Sequence, residues 1–200
     1  MATATKPYYT EAEYLARERR AEYKSEYYRG EIFAMAGATR EHNLVVANVV
    51  SHLHEQLRKT TCEVYPSDMR VRLPTGLYTY PDISVACGEP KFLDAELDTL
   101  LNPQVIVEVL SESTAAYDRG EKSRQYRNIE SLAHYVLVES EEAHIEVYNR
   151  QPNQQWLLSE AEGLEGAVDL PAINCRLILS EVYAKVPLKP EQNGTQKESG

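Results

Sequence analysis

The 200-residue chain has no apolar run near the ~20 residues that cross a bilayer. Its first ten residues lack the apolar core of a secretion signal, so a cytoplasmic protein is expected. Cysteine is scarce. Cys62, Cys87 and Cys175 are odd in number and scattered, at no metal-ligand or disulfide-framework spacing, so buried free thiols are expected. Positive charge is in deficit: 21 Lys and Arg face 31 Asp and Glu, for a net charge of −10. That argues against a tight, non-specific nucleic-acid binder. It does not exclude a nucleic-acid enzyme, because a metal site adds acids and the bound ions cancel part of their charge. There is no Gly-rich phosphate loop, no internal repeat and no linker between two domains. What remains is an ordinary globular composition, 42% hydrophobic and 26% charged. One domain over residues 1–186 is expected, followed by a disordered polar tail over residues 187–200.

Thr10 with Glu13 reads as a capping box opening a helix to about Lys24. Arg29 to Gly37 reads as a turn and a short strand, and Thr39 caps a second helix from about Arg40 to Lys59. Short strands follow near 62–65, 69–73 and 79–85, then an acidic loop over 89–102 and a central strand over 105–110. Asp118 opens a helix to about Ile129, and strands recur at 134–139, 143–149, 156–159 and 175–178. Ser180 to Ala184 reads as a final helical turn. This order predicts an α+β fold, an α/β-sandwich-like arrangement in which helices flank one mixed β-sheet.

The chemistry concentrates in Val105-Ile-Val-Glu-Val-Leu110 and Tyr80-Pro-Asp-Ile-Ser-Val85. Each is a β-branched run with one acid set into it, Glu108 and Asp82. A strand this apolar is normally buried on both faces, where a bare carboxylate costs several kcal/mol unless a positive charge meets it. Two such acids on two strands suggest a shared cation. Carboxylate oxygens favour magnesium, manganese or calcium over zinc. Alternation places Ile106, Glu108 and Leu110 on one face and Val105, Val107 and Val109 on the other. Asp118, Lys122 and Tyr126 share one side of the next helix, so Lys122 can arrive beside Glu108.

Pro81-Asp82, Glu108-Val-Leu-Ser111, Thr114, Asp118, Lys122 and Tyr126 together resemble an endonuclease family common in cyanobacteria, formerly a domain of unknown function. It belongs to the PD-(D/E)XK nuclease superfamily, with the restriction-endonuclease-like fold. The resemblance runs from Gly30-Glu31 through His42 to Tyr135-Val-Leu-Val138. In the superfamily the lysine usually lies two residues after the strand carboxylate; here that position is Leu110, and the lysine is displaced to Lys122. The resemblance implies an endonuclease acting on DNA with Mg2+, or with Mn2+ in its place. Asp82, Glu108 and the main-chain carbonyl of Val109 would hold the metal, Glu31 would complete the acidic cluster, and Lys122 would orient the attacking water. Tyr126 and Gln125 would position water or phosphate, and Arg70, Arg72, Arg119 and Arg124 would hold the nucleic-acid backbone.

The acidic net charge and the displaced lysine favour an alternative, a catalytically inactive nuclease-fold protein acting as a binding or assembly module. His42 is assigned a structural hydrogen bond, and His52 and His54, two apart on a helix, make no zinc pair. Tyr8, Tyr9, Tyr14, Tyr23, Tyr27 and Tyr28 suit an interface, so a homodimer is expected there.

Overall fold

The computed structural model describes residues 7–189. Helix α1 (Glu11–Glu18) opens on the Thr10–Glu13 capping box. It stops well short of Lys24 because the Glu18 carboxylate takes hydrogen bonds from the amide and hydroxyl of Ser25, pulling the chain into strand β1 (Ser25–Tyr28). The turn into β2 (Glu31–Ala34) uses Arg29 at φ 47° and Gly30 at φ 90°, left-handed angles that suit glycine. Thr39 caps α2 (Arg40–Leu57) by accepting the amide of His42. Then come β3 (Cys62–Pro66), β4 (Arg70–Arg72), β5 (Tyr78–Thr79), β6 (Ile83–Cys87), β7 (Thr99–Leu100) and β8 (Val105–Leu110). The expected helix from Asp118 is instead α3 (Ala115–Tyr117), a π-helical turn over Asp118–Lys122, and α4 (Ser123–Tyr126). The chain ends through β9 (His134–Glu139), β10 (His144–Arg150), β11 (Trp156–Glu162), β12 (Ala167–Leu170), β13 (Cys175–Ile178) and α5 (Leu179–Val182).

The fold is α+β, but its strands form three sheets where one was expected. The main sheet runs β11-β10-β9-β8-β6-β3, with β8 and β9 parallel and the other pairs antiparallel. A second sheet runs β2-β1-β5-β4-β7, and β12 pairs with β13. Strand β7 lies inside the stretch read as an acidic loop, where Thr99 and Leu100 pair in parallel with β4. Strand β8 is buried along its whole length and divides the core. Val105, Val107 and Val109 join Val45, Val49, Leu53 and Leu57 of α2. Ile106 and Leu110 join Tyr126, Ile129 and Tyr135 on the opposite face. Each such aliphatic side chain contributes roughly 1.5–3 kcal/mol on burial.

The tyrosines expected at an interface divide. Tyr14 and Tyr27 are buried and meet Tyr78 at ring-centroid distances of 5.4 and 5.8 Å, a third core cluster between α1 and the second sheet. Tyr8 and Tyr23 are exposed. The start of the expected tail is also tied down: Leu188 packs on the main core and the Lys189 amide donates to the Glu141 carbonyl at 2.8 Å. The rest of that tail, residues 190–200, lies outside the described residues.

Cys62 and Cys87 are not free thiols. They face each other directly across the antiparallel β3–β6 pair and form a disulfide, a juxtaposition that only the strand register reveals; Cys175 is free and buried. The bridge closes a loop with a sequence separation of 25, so reduction, or replacement of both cysteines by serine, is expected to cost about 2–4 kcal/mol, read as a lower melting temperature. A second tie joins α1 to the segment before β7, where Arg19 binds Asp98 at 2.8 Å and Asp94 at 2.7 Å. The Arg19 hydrogen bond holds the Asp98 carboxyl well below the usual carboxylate range. A depressed carboxyl adds stability above its unfolded pKa of ~3.9, and loses it as pH falls through the folded value. The stability gap between the natural protein and Asp98→Asn, measured by urea unfolding, should therefore narrow from about pH 5 toward pH 2.

Candidate active site

Glu108 lies on the α4 face of β8, flanked by Ile106 and Leu110, and is 4% exposed. Its Oε1 accepts the Tyr126 hydroxyl at 2.6 Å and lies 2.9 Å from Lys122 Nζ. Lys122 also lies 3.5 Å from Asp118 Oδ1 and 3.6 Å from Glu26 Oε1. The π-helical turn presents Asp118 and Lys122 together to the sheet. Burial pushes the Glu108 carboxyl above the usual carboxylate range, opposed by Lys122 and reinforced by Asp82 and Asp118. Burial would lower Lys122, but Glu108, Glu26 and Asp118 outweigh it and raise the ammonium well above its ordinary value. Burial likewise raises Asp118.

Asp82 sits between Pro81 and the first residue of β6. Its Oδ2 accepts the Val109 amide at 2.8 Å and faces His42 Nε2 at 3.1 Å; its own amide points at Glu108 Oε2, 3.4 Å away. Asp82 and Glu108 therefore adjoin at the end of the β6–β8 ladder. Ile83 pairs with Val107, and continuing that register sets Pro81 opposite Val109. Proline has no N–H to give the Val109 carbonyl. Among the described residues Asp82 Oδ1 carries no hydrogen bond, and Glu108 Oε2 only the long one from Asp82. These hard oxygens are the available donors. Among the described residues no group of three or more His, Cys, Asp or Glu is arranged to hold a metal.

The structure brings Asp82, Glu108, Val109 and Lys122 together and relocates other candidates. The acid that the β1–β2 hairpin sends to Lys122 is Glu26, which also accepts the Thr79 hydroxyl. Glu31, expected to complete the acidic cluster, lies opposite Tyr28 on the same face of the hairpin as Glu26, and lines a cleft of about 570 Å³ between α1 and the hairpin. Glu26 lies between the expected first helix and the Arg29 turn, in a stretch given no element; its place in β1 beside that turn is the available signal. Tyr126 is fully buried, so its hydroxyl acts on Glu108 and does not reach phosphate. Gln125 is buried and bonds Glu121 and Tyr28.

Three of the four arginines assigned to nucleic acid are engaged within the fold. Arg70 is buried against Thr99, Tyr80 and Asp98. Arg72 binds Glu11 and Tyr78, and Arg119 binds Glu139 at 2.6 Å and Glu146 at 2.7 Å. Arg124, 66% exposed and paired with Glu121 on its own helix, keeps the greatest access to solvent of the four. No helix among the described residues is long and apolar enough to cross a membrane.

Comparison with known proteins places this geometry in a family. Two uncharacterized proteins of Synechocystis sp. are similar to the chain. Protein sll1609 is 38% identical over 170 residues, 84% of this chain and 96% of the relative. Protein slr1290 is 33% identical over 172 residues, 86% and 89% of the two. The crystal structure of a putative nuclease belonging to DUF820 from Anabaena variabilis superposes with a TM-score of 0.68 at 17% identity, covering 86% of this chain and 96% of that one, which establishes the shared fold. Residues 11–180 match the family described as "Putative restriction endonuclease", and the chain belongs to that family, Uma2.

Proposed function

We propose that the protein is a Mg2+-dependent endonuclease that hydrolyses phosphodiester bonds of DNA, with Mn2+ able to replace Mg2+. The observation that carries this reading is the junction of Asp82, Glu108 and Lys122: two carboxylates from adjacent strands, one of them 2.9 Å from a buried ammonium. The family description, restriction endonuclease, supports DNA as substrate. The donor set suits a hard divalent ion. Three acids, Glu26, Glu108 and Asp118, lie within 3.6 Å of the one ammonium, and Asp82 adjoins Glu108, so acids outnumber the cation. Magnesium is commonly held by one or two carboxylates plus water and substrate phosphate, so a pair of acids with one carbonyl is sufficient.

Asp82, Glu108 and the Val109 carbonyl would hold the ion. When bound, it supplies Lewis acidity, making water a nucleophile at neutral pH and offsetting charge that builds on the phosphoryl oxygens. Lys122 fixes Glu108 and offsets negative charge in the transition state. Tyr126 holds the same carboxylate oxygen from below, so the carboxylate is set before substrate arrives. Arg124 is placed to meet a phosphate of the backbone, a contact blind to sequence.

The second reading, a catalytically inactive binding or assembly module, is favoured by the internal engagement of Arg70, Arg72 and Arg119 and by the three acids around Lys122. Calorimetry separates the two: manganese binding at millimolar concentration or tighter supports the nuclease, and its absence supports the module.

Asp82→Asn is expected to lower Mg2+-dependent cleavage of plasmid DNA by about 10²-fold or more while the circular dichroism spectrum is unchanged. Equal cleavage by variant and natural protein would overturn the assignment. Lys122→Met leaves Glu108 buried and unpaired, an expected cost of about 3–5 kcal/mol in urea unfolding. Adding Glu108→Gln should recover much of that stability without recovering cleavage.

A further inference from the structure

The bond between His42 and Asp82 goes beyond the pair of acids and the lysine. His42 stands in the first turn of α2, its amide held at 3.2 Å by the Thr39 hydroxyl. Its Nε2 lies 3.1 Å from Asp82 Oδ2, the same oxygen that accepts the Val109 amide at 2.8 Å. An ionised carboxylate can only accept, so Nε2 carries the proton. The other ring nitrogen, Nδ1, is buried with no hydrogen-bond partner among the described residues. The contact between Nε2 and the Asp82 carboxylate therefore selects a ring with the proton on Nε2.

Asp82 needs this second donor. It stands just outside β6, after a proline, and one amide contact at Oδ2 leaves its carboxylate free to swing about that bond. Two donors from different elements, α2 and β8, fix the carboxylate plane and leave Oδ1 as its open oxygen. We infer that His42 is a positioning residue: by donating Nε2–H to Asp82 Oδ2 it orients Oδ1 toward the divalent cation and so sets the protein's affinity for that cation. The inference rests on the metal site proposed above. Groups that orient a ligand in this way typically contribute 10–100-fold in metal affinity or activity.

The test compares His42→Ala, His42→Asn and His42→Gln in the full chain, with manganese as the probe. Glutamine extends an amide N–H to about the position of Nε2, whereas asparagine reaches only to that of Nδ1. Manganese calorimetry should give a Kd raised about 10–100-fold in His42→Ala and His42→Asn, and restored to within a few-fold by His42→Gln. The manganese concentration for half-maximal plasmid cleavage should rise in parallel, with cleavage near the natural rate at saturating metal. In the metal-free protein, ring ¹⁵N shifts should report the Nε2–H tautomer.

Unchanged manganese affinity in a folded His42→Asn, failure of His42→Gln to restore affinity, or an Nδ1–H tautomer would each overturn the inference. In the first of these cases the natural protein still binds manganese and Asp82→Asn does not, so the metal site survives. If the natural protein and Asp82→Asn are equally blank, the metal site fails, and the role of His42 fails with it.

Discussion

The half of the fold that carries the candidate site is organised around one buried charge. Glu108 occupies the middle of a six-residue strand in which every other side chain is Val, Ile or Leu. Leaving a carboxylate there without a partner would cost several kcal/mol, a large share of the 5–15 kcal/mol that typically holds a domain together. Lys122 at 2.9 Å and the Tyr126 hydroxyl at 2.6 Å meet that demand. Lys122 is itself too buried to stand on a single partner, and Asp118 and Glu26 complete its surroundings. In this way β8, the π-helical turn, α4 and the β1–β2 hairpin are drawn to one point. Apolar residues in place of the whole Glu108–Lys122 pair are often as stable or more so, so the pair is weak evidence of a purely stabilising role.

How much of this could be read from the sequence depended on the range of the interaction. Strand β8 was legible because Val105, Val107 and Val109 alternate with Ile106, Glu108 and Leu110, and alternation is a local property. Burial of Glu108 followed from the same pattern, and the demand for a cation followed from burial. The approach of Lys122 was legible as a helix-face argument, although the helix proved to be interrupted by a π turn. What was hidden depended on register or on partners distant in sequence. The Cys62–Cys87 bridge exists because β3 and β6 pair in one alignment, which spacing does not encode. Strand β1, which carries Glu26, was not legible because it is set by the carboxylate of Glu18, seven residues before Ser25, against the helical preference of Ala21 to Lys24. The arginines misled because exposure is not visible in a sequence: Arg70 and Asp98 are 28 residues apart in the chain and 3.0 Å apart in space.

The fate of those arginines bears on how nucleic acid would be held. Protein–DNA affinity rises with the number of phosphates neutralised, and so does its sensitivity to salt. Arg70, Arg72 and Arg119 are engaged in internal ion pairs in a chain of net charge −10, and are not offered to phosphate. In the proposed enzyme a divalent ion would add positive charge at the site itself. Such an enzyme would associate weakly in the absence of metal, and the ion would serve both to bind the phosphate and to activate it. The internal arginines tie the second sheet to α1 and the π-helical turn to β9 and β10.

The position of the site follows from where the main sheet stops pairing. Strand β6 begins at Ile83, opposite Val107, so continuing the register sets Asp82 opposite Glu108 and then Pro81 opposite Val109. Proline ends the ladder there because it has no N–H to offer. Asp82 then turns inward and its carboxylate, not a backbone carbonyl, satisfies the Val109 amide. One missing proton on Pro81 thus leaves the Val109 carbonyl without its ladder donor, and one side chain closes the other half of the pair. Three oxygen groups, from Asp82, Glu108 and Val109, are left at the same sheet end by the same interruption. The Pro-Asp dipeptide carries little information as a sequence pattern, since many chains contain it. At this register it becomes specific, because a residue without an amide proton, followed by a short acid, both stops the sheet and sets a carboxylate at its end.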